Sequence, residues 1–396
     1  MKKQLKRPIL KLLWRIGALS GSLFDRPLRK EKISAVLIFQ GGGIGDVIRL
    51  FPALQSLSEA LPRARIVALT QFGEALFRLF PSPEIVAEHI IYDLRGCHRS
   101  FFGKLALIRK LRKKKFHMIF APTYGLGMIE AAVISFLIGA PYRIGFDTGG
   151  AGFLYTTRKD LVSDKSILEQ NLDLLSRAGF PAWRPSPYLR VPEEELAWAG
   201  KRLAEQGVSG RDALVAVAPE VKRDSRFESF PEYRSWPVPR YLALIERVIE
   251  ARGAKVLLLG NPVEDGQDFI PAGLLQGIPR RVLDFRGKTT VSQAAALIAC
   301  STLFVGNDSG PLHLATALGK PCVSIFGATS PRQVIPPGEL SLPIWKHLPC
   351  SPCFSHQPLF ELRCPYQIAC LNSIEVEEVF GAVARLLDTT APAAPG

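Results

Sequence analysis

Along most of this chain, short apolar runs alternate with stretches in which apolar residues recur every three or four positions. Residues 35–39, 65–70, 89–93 and 117–121 are runs of the first kind, and 214–218, 255–260, 282–285, 303–305 and 322–326 form a second series. Runs that are apolar throughout predict strands covered on both faces, and the helical stretches between them predict the crossovers of a parallel sheet. A proline-rich link over residues 181–192 separates the two series, so the pattern predicts two α/β domains. A chain of 396 residues, 47% of them hydrophobic, is long enough to give each domain its own core.

Residues 305–326 (VGNDSGPLHLATALGKPCVSIF) compress strand, polar turn, helix and strand with almost no spare residues. Gly306, Asn307, Asp308, Ser309 and Gly310 favour turns and caps. Helical spacing then runs through Leu312, Leu314, Ala315 and Leu318 and ends at Gly319 and Pro321. A helix N-terminus at a strand's carboxyl end offers free amides and the positive end of the macrodipole to an anion such as a diphosphate. Pro311 in the first turn costs no hydrogen bond. An ordinary turn capped by Asp or Ser is the plainer alternative.

Another polar turn, residues 40–46 (QGGGIGD), lies between the first strand and a helical pattern through Val47, Leu50, Leu54 and Leu57. It lacks the Lys-Ser/Thr ending of a P-loop. The second strand ends in Thr70 and Gln71, without the acid that a dinucleotide ribose requires, which weakens an NAD-dependent oxidoreductase reading. The glycines instead let another molecule approach the backbone, with Asp46 at the mouth of the turn.

Charge adds a candidate surface. The net charge is +14, and residues 1–190 hold 30 Lys and Arg against 14 Asp and Glu, so the whole excess lies in the first half. It concentrates in residues 1–32 and 95–115, and such a field attracts polyanions. No nucleic-acid-binding module is present, so nucleic acid is not an expected partner. Leu5, Ile9, Leu12, Leu13, Ile16, Leu19 and Leu23 recur at helical spacing among Lys2, Lys3, Lys6, Arg7, Lys11 and Arg15. That pattern predicts a basic amphipathic helix on an anionic membrane surface, with packing on the protein's own surface as the alternative. Lys11 and Arg15 interrupt what would be a signal peptide's apolar core, and no run reaches the roughly 18 apolar residues of a membrane span.

Three segments in order, GGGIGDVIRLFPAL, APEVKRDSRFESFPEYRSWPVPRYLAL and GNDSGPLHLATALGKPCVSIFGATSP, resemble glycosyltransferase family nine, the bacterial lipopolysaccharide heptosyltransferases. The likeness spans most of residues 34–387. GGGIGDVIRLFPAL is similar to the family's GD-and-P loop. The middle segment resembles its phosphate loop with a basic-x-Trp-Pro element, here Arg234 to Pro237, and the last resembles its D-[ST]-G-x-x-H segment. The resemblance implies a GT-B fold: two facing Rossmann-like domains with parallel sheets, and a C-terminal helix crossing back to the first. On that plan, a basic helix over 1–32 precedes an acceptor-binding domain (33–180), a linker and helix (181–212), a nucleotide-sugar-binding domain (213–373), the last helix (374–387) and a disordered tail (388–396).

The resemblance further implies transfer of heptose from ADP-heptose to an acidic lipid A-core acceptor at the inner face of the bacterial inner membrane, peripheral to its anionic surface. Asp46 matches the family's catalytic Asp and would take the acceptor's proton. Arg234, Glu264, Asp308, Ser309, Gly310 and His313 would bind the donor. Arg234 stands where many members have Lys, and Asp308, which would repel a diphosphate if unpaired, is expected to hold the turn or contact sugar hydroxyls. Acceptor contacts are expected in the basic first domain at Gly43, Arg95, Arg99 and Arg143. No Asp-x-Asp occurs in the chain, which favours metal-independent, inverting transfer without a cofactor.

Cys350, Cys353, Cys364 and Cys370 form a separate cluster, and Cys-x-x-Cys followed by two further cysteines can hold structural zinc. Reduced thiols or a local disulfide are the alternatives. Two other functions stay open: the same chemistry with a different nucleotide sugar, and a non-catalytic sugar-nucleotide or membrane-binding relative. The retained Asp46 loop argues against the non-catalytic reading.

Overall fold

The computed structural model describes residues 25–182, 187–221, 233–260, 270, 281–335, 340–354 and 364–390. They divide into two compact units, the first comprising the described residues up to 182 and the second those from 187 onward. The basic helix expected at the amino terminus therefore lies outside the described residues, apart from its last eight positions. Residues 25–29 are not helical and Lys30–Lys32 makes a single 3-10 turn, so a helix reaching residue 32 is corrected.

The first unit contains β1 (Ala35–Gln40), β2 (Arg65–Thr70), β3 (Val86–Ile91), β4 (Met118–Ala121), β5 (Tyr142–Phe146) and β6 (Thr157–Lys159). They pair in the order β3-β2-β1-β4-β5-β6, parallel throughout. The second unit repeats the plan with β7 (Leu214–Ala218), β8 (Lys255–Leu258), β9 (Val282–Asp284), β10 (Leu303–Asn307), β11 (Cys322–Ile325) and β12 (Ser341–Ile344) in the order β12-β11-β10-β7-β8-β9. Each is a doubly wound sheet whose strand order reverses at one point, between β1 and β4 in the first and between β7 and β10 in the second. Two Rossmann-like sheets in one chain are what the expected GT-B fold requires.

Helices cover both faces, which is why β4, β7, β10 and β11 are buried along their whole length. The pattern after β1, expected as one helix, is two, Ile44–Ile48 and Phe51–Ala60, because Pro52 opens a new first turn. The helix Glu193–Glu205, expected in the linker, packs on Val291–Cys300 of the second unit. The last helix, Val376–Thr390, spends its apolar face in the second unit's core, where Val379, Val383, Leu386 and Leu387 meet Trp236, Ile245 and Val248. The helix also runs past the expected end at 387: Asp388 accepts from Arg252 Nη1 at 2.6 Å and from Nη2 at 3.1 Å.

Trp236 fastens this helix's entry to the sheet. It is fully buried, its Nε1 donates to the Ile374 carbonyl at 3.0 Å, and its ring meets Tyr241 edge-on at 5.0 Å. Trp236→Ala is expected to cost about 3–5 kcal/mol in urea unfolding. Trp236→Phe should cost only about 1 kcal/mol, because the Ile374 carbonyl keeps its bond from Arg240.

Candidate active site

Loops leaving the carboxyl ends of β1 and β4 diverge, since the strand order reverses between them, and leave a crevice. The loop after β1 carries Gly41, Gly42 and Gly43 and turns directly into Ile44–Ile48, with Asp46 as its third residue. Asp46 Oδ2 accepts the Gly43 amide at 2.6 Å, closing the first turn. Oδ1 accepts from Arg49 Nη2 at 2.6 Å and from the Tyr124 hydroxyl. Arg49 Nη2 also donates to Tyr124 Oη at 2.8 Å.

Asp46 thus caps its helix from the third position, and the cap uses only one oxygen. The side chain is 20% exposed. With Oδ1 taken by two donors and Oδ2 by one amide, Oδ2 keeps a lone pair for an incoming hydroxyl. Arg49 and Tyr124 are site residues that the sequence motifs do not mark. The spacing of three between Asp46 and Arg49 on a short helix is a usable signal. Tyr124 becomes visible only once β4 is known to neighbour β1.

Two glutamines hold the glycine turn. Gln40 Oε1 accepts the Gly42 amide at 3.0 Å and Gln40 Nε2 donates to the Pro122 carbonyl at 3.2 Å, while Gln71 Nε2 donates to the carbonyls of Gly41 and, at 3.1 Å, Gly42. Gln71 occupies the position at the end of β2 where a ribose-binding acid is absent. Among the three glycines, Gly42 is required by space: a methyl there would lie 2.1 Å from Asp46 Oδ2 and 2.7 Å from its Cγ. Gly42→Ala is expected to displace the carboxylate, lower turnover on the order of a hundredfold and cost about 1–3 kcal/mol of stability. At Gly43 a methyl would meet nothing closer than 3.7 Å, so Gly43→Ala should leave the urea midpoint unchanged.

In the second unit the corresponding loop follows β10, which runs two residues beyond the expected Val305. Asn307 is its last residue and joins three segments: Oδ1 accepts the Trp236 amide at 3.0 Å, and Nδ2 donates to the Pro219 carbonyl at 2.7 Å. Asp308 is buried, with Oδ2 3.7 Å from Arg234 Nη1 and Oδ1 3.7 Å from His313 Nε2. The carboxylate is thus set between two basic groups rather than left unpaired at the turn.

Ser309 is the N-cap of Gly310–Ala317, in extended backbone, yet its side chain makes no cap bond. Among the described residues, Ser309 Oγ and Arg234 Nε are both buried without a hydrogen-bond partner. Arg234 is steadied by its guanidinium lying 5.2 Å over the Tyr233 ring. Two orphaned donors beside free helix amides cost free energy when empty and suit an oxyanion that accepts from both. Arg234, Asp308, Ser309, Gly310 and His313 are therefore brought together. Glu264 lies outside the described residues.

Arg95 and Arg99 are exposed on the loop after β3, at the same carboxyl edge of the first sheet as Asp46. Arg143 is placed differently, which corrects its expected contact with the acceptor. It sits at the amino end of β5, opposite that edge, and its guanidinium is buried and donates to the carbonyls of Leu154 and Ala140 at 2.8 and 2.7 Å. The four clustered cysteines are free thiols, and among the described residues no three His, Cys, Asp or Glu side chains form a metal-ligand group, so the zinc expectation is not supported. Burial and the neighbouring thiols push Cys370 up to about 11.

Residues 104–362 match the family described as "Glycosyltransferase family 9 (heptosyltransferase)". Lipopolysaccharide heptosyltransferase 3 of Escherichia coli is 26% identical over 294 residues, covering 72% of this chain and 81% of that protein. Among solved structures, a family 9 glycosyltransferase from Veillonella parvula superposes with a TM-score of 0.70 at 18% identity, over 92% of this chain and 99% of the other. The E. coli ADP-heptose LPS heptosyltransferase II gives 0.64 at 20% identity, over 90% and 100%.

Proposed function

The chain belongs to glycosyltransferase family 9, the heptosyltransferases, and from that premise we propose that it moves heptose from ADP-heptose to an acidic lipid A-core acceptor, with inversion and without a metal. The observation that carries the mechanism is the asymmetric hold on Asp46: among the described residues, Oδ1 is fixed by Arg49 and Tyr124 and Oδ2 is bound by one amide. Oδ2 takes the proton from an acceptor hydroxyl as that oxygen attacks the anomeric carbon. The bond to the diphosphate breaks on the opposite face, and the leaving charge is met by Ser309 Oγ, Arg234 and the amides opening Gly310–Ala317. Those donors supply the positive field that a divalent cation supplies elsewhere. A single displacement inverts the configuration.

Asp308 and His313 position Arg234 and the turn, Glu264 serves the ribose hydroxyls, and Gly43, Arg95 and Arg99 contact the acceptor. The reaction runs at the cytoplasmic face of the inner membrane, where a lipid-linked acceptor is presented to a peripheral enzyme. The similarity to the solved ADP-heptose LPS heptosyltransferase II supports the choice of donor. The test is a donor comparison with EDTA present: ADP-heptose, ADP-glucose and UDP-glucose are offered with lipid A-core acceptor, and the product anomer is read by NMR. Transfer from ADP-heptose with inverted configuration is expected. Transfer from another donor alone would assign the site to a different sugar, and loss of activity in EDTA would overturn metal independence.

A further inference from the structure

The loop and helix that follow β3 carry a feature the transfer chemistry does not use. Phe101 and Phe102 are adjacent, 74% and 79% exposed, and packed edge-on against each other with ring centroids 5.7 Å apart. Monomeric proteins rarely leave two neighbouring aromatic rings in water. The turn that presents them is fixed: Asp93 accepts the amides of Gly96 and Cys97 at 2.7 and 3.0 Å, and Ser100 Oγ accepts the Gly103 amide at 3.0 Å. A side chain at Gly103 would meet the Cys97 carbonyl at 1.8 Å, so the turn admits no other residue there.

Charge surrounds the pair. Residues 95–115 contain nine Lys and Arg and no Asp or Glu. Lys104 is paired with Glu130 and Lys114 with Glu88. The other seven cations are in no ion-pair contact with a carboxylate among the described residues, although Lys110 adds to the field of Lys114 and Arg65 that lowers the Glu88 carboxyl. On the helix Phe101–Arg112 and its extension, Phe102, Ala106, Arg109 and Lys113 fall at helical spacing on one exposed stripe, opposite the buried Leu107, Ile108 and Leu111. An aromatic pair at one end of a cationic stripe matches the boundary between acyl chains and anionic headgroups, where rings insert and cations stay in the headgroup layer.

We propose that Phe101 and Phe102, with Arg109, Lys110 and Lys113, form a docking surface for an anionic phospholipid bilayer. The aromatic end of the surface lies at the carboxyl edge of the first sheet, where β3 is two strands from β1 in the order β3-β2-β1, and the helix carries the cations from there toward the amino edge. An acceptor anchored in that bilayer would thus be offered beside the base, a consequence that rests on the reading of Asp46 above.

The test uses full-length protein with vesicles of phosphatidylcholine alone or with 30% phosphatidylglycerol, read by co-sedimentation. The wild type is expected to bind only the anionic vesicles, and less as salt rises. Phe101→Ser/Phe102→Ser and, separately, Arg109→Gln/Lys113→Gln should each weaken binding on the order of tenfold or more, with unchanged turnover on a short-chain, detergent-free acceptor. Equal binding by the wild type and both variants would overturn the surface and place membrane affinity elsewhere in the chain. So would binding that ignores phosphatidylglycerol, or a shift from dimer to monomer in sedimentation caused by the Phe variant, which would assign the patch to a second copy. Vesicle binding without turnover on any acceptor would leave the docking surface standing and sink the transfer reading instead.

Discussion

Asp46→Asn is expected to stop sugar transfer while leaving the donor bound as tightly as in the wild type. The amide has the carboxylate's shape but a single acceptor oxygen: with that oxygen toward Arg49 and Tyr124 it keeps their hold and gives up only the bond from the Gly43 amide, about 1 kcal/mol of local stability. What is lost is a group that can take a proton from the acceptor hydroxyl, worth on the order of 10²- to 10⁴-fold in kcat. Single-turnover transfer by mass spectrometry gives the rate, and calorimetry with ADP gives the donor site separately. A variant that transfers at a comparable rate would remove Asp46 from the chemistry and leave it as the cap of a short helix.

Ser309→Ala should weaken donor binding on the order of tenfold and yet leave the protein as stable as before, or slightly more so. Most buried hydroxyls already have a partner, so deleting one destabilises the fold. Ser309 Oγ is buried and unpartnered among the described residues, so its removal takes away a cost rather than a bond. Arg234→Ala should lower affinity by about 10- to 100-fold, since it removes a charge as well as a donor. Calorimetric titration with ADP checks affinity and urea unfolding checks stability. Unchanged affinity in both variants would mean that the donors serve something other than the diphosphate.

Much of this arrangement is legible in the amino-acid sequence. Strands covered on both faces must be apolar throughout, so β1, β2, β7 and β10 announce themselves, and the polar turns after β1 and β10 mark the loops that carry Asp46 and Ser309. The edge strands β3 and β9 still show as apolar runs, but the edges β6, which reads Thr-Arg-Lys, and β12, which carries Pro343, do not, because an edge needs neither burial nor a full ladder. Without β5, Arg143 passes for one more exposed cation, whereas the sheet puts it at the opposite edge with its donors spent on backbone carbonyls. The residues that hold the site, Tyr124, Gln71 and Asn307, act across strand neighbours far apart in sequence, and their identities alone give no sign of it. Asn307 suggests a turn because Asn favours turns, but it is the end of a strand bonding two other segments.

The most direct test is transfer from ADP-heptose to purified lipid A core by the wild type and by Asp46→Asn, with EDTA throughout, followed by the mass of the product. One heptose added by the wild type and none within the same time by the variant is expected, with both binding ADP equally. Heptose added equally by both would contradict the assignment of Asp46, and no transfer by a wild type that binds a different sugar nucleotide would contradict the donor.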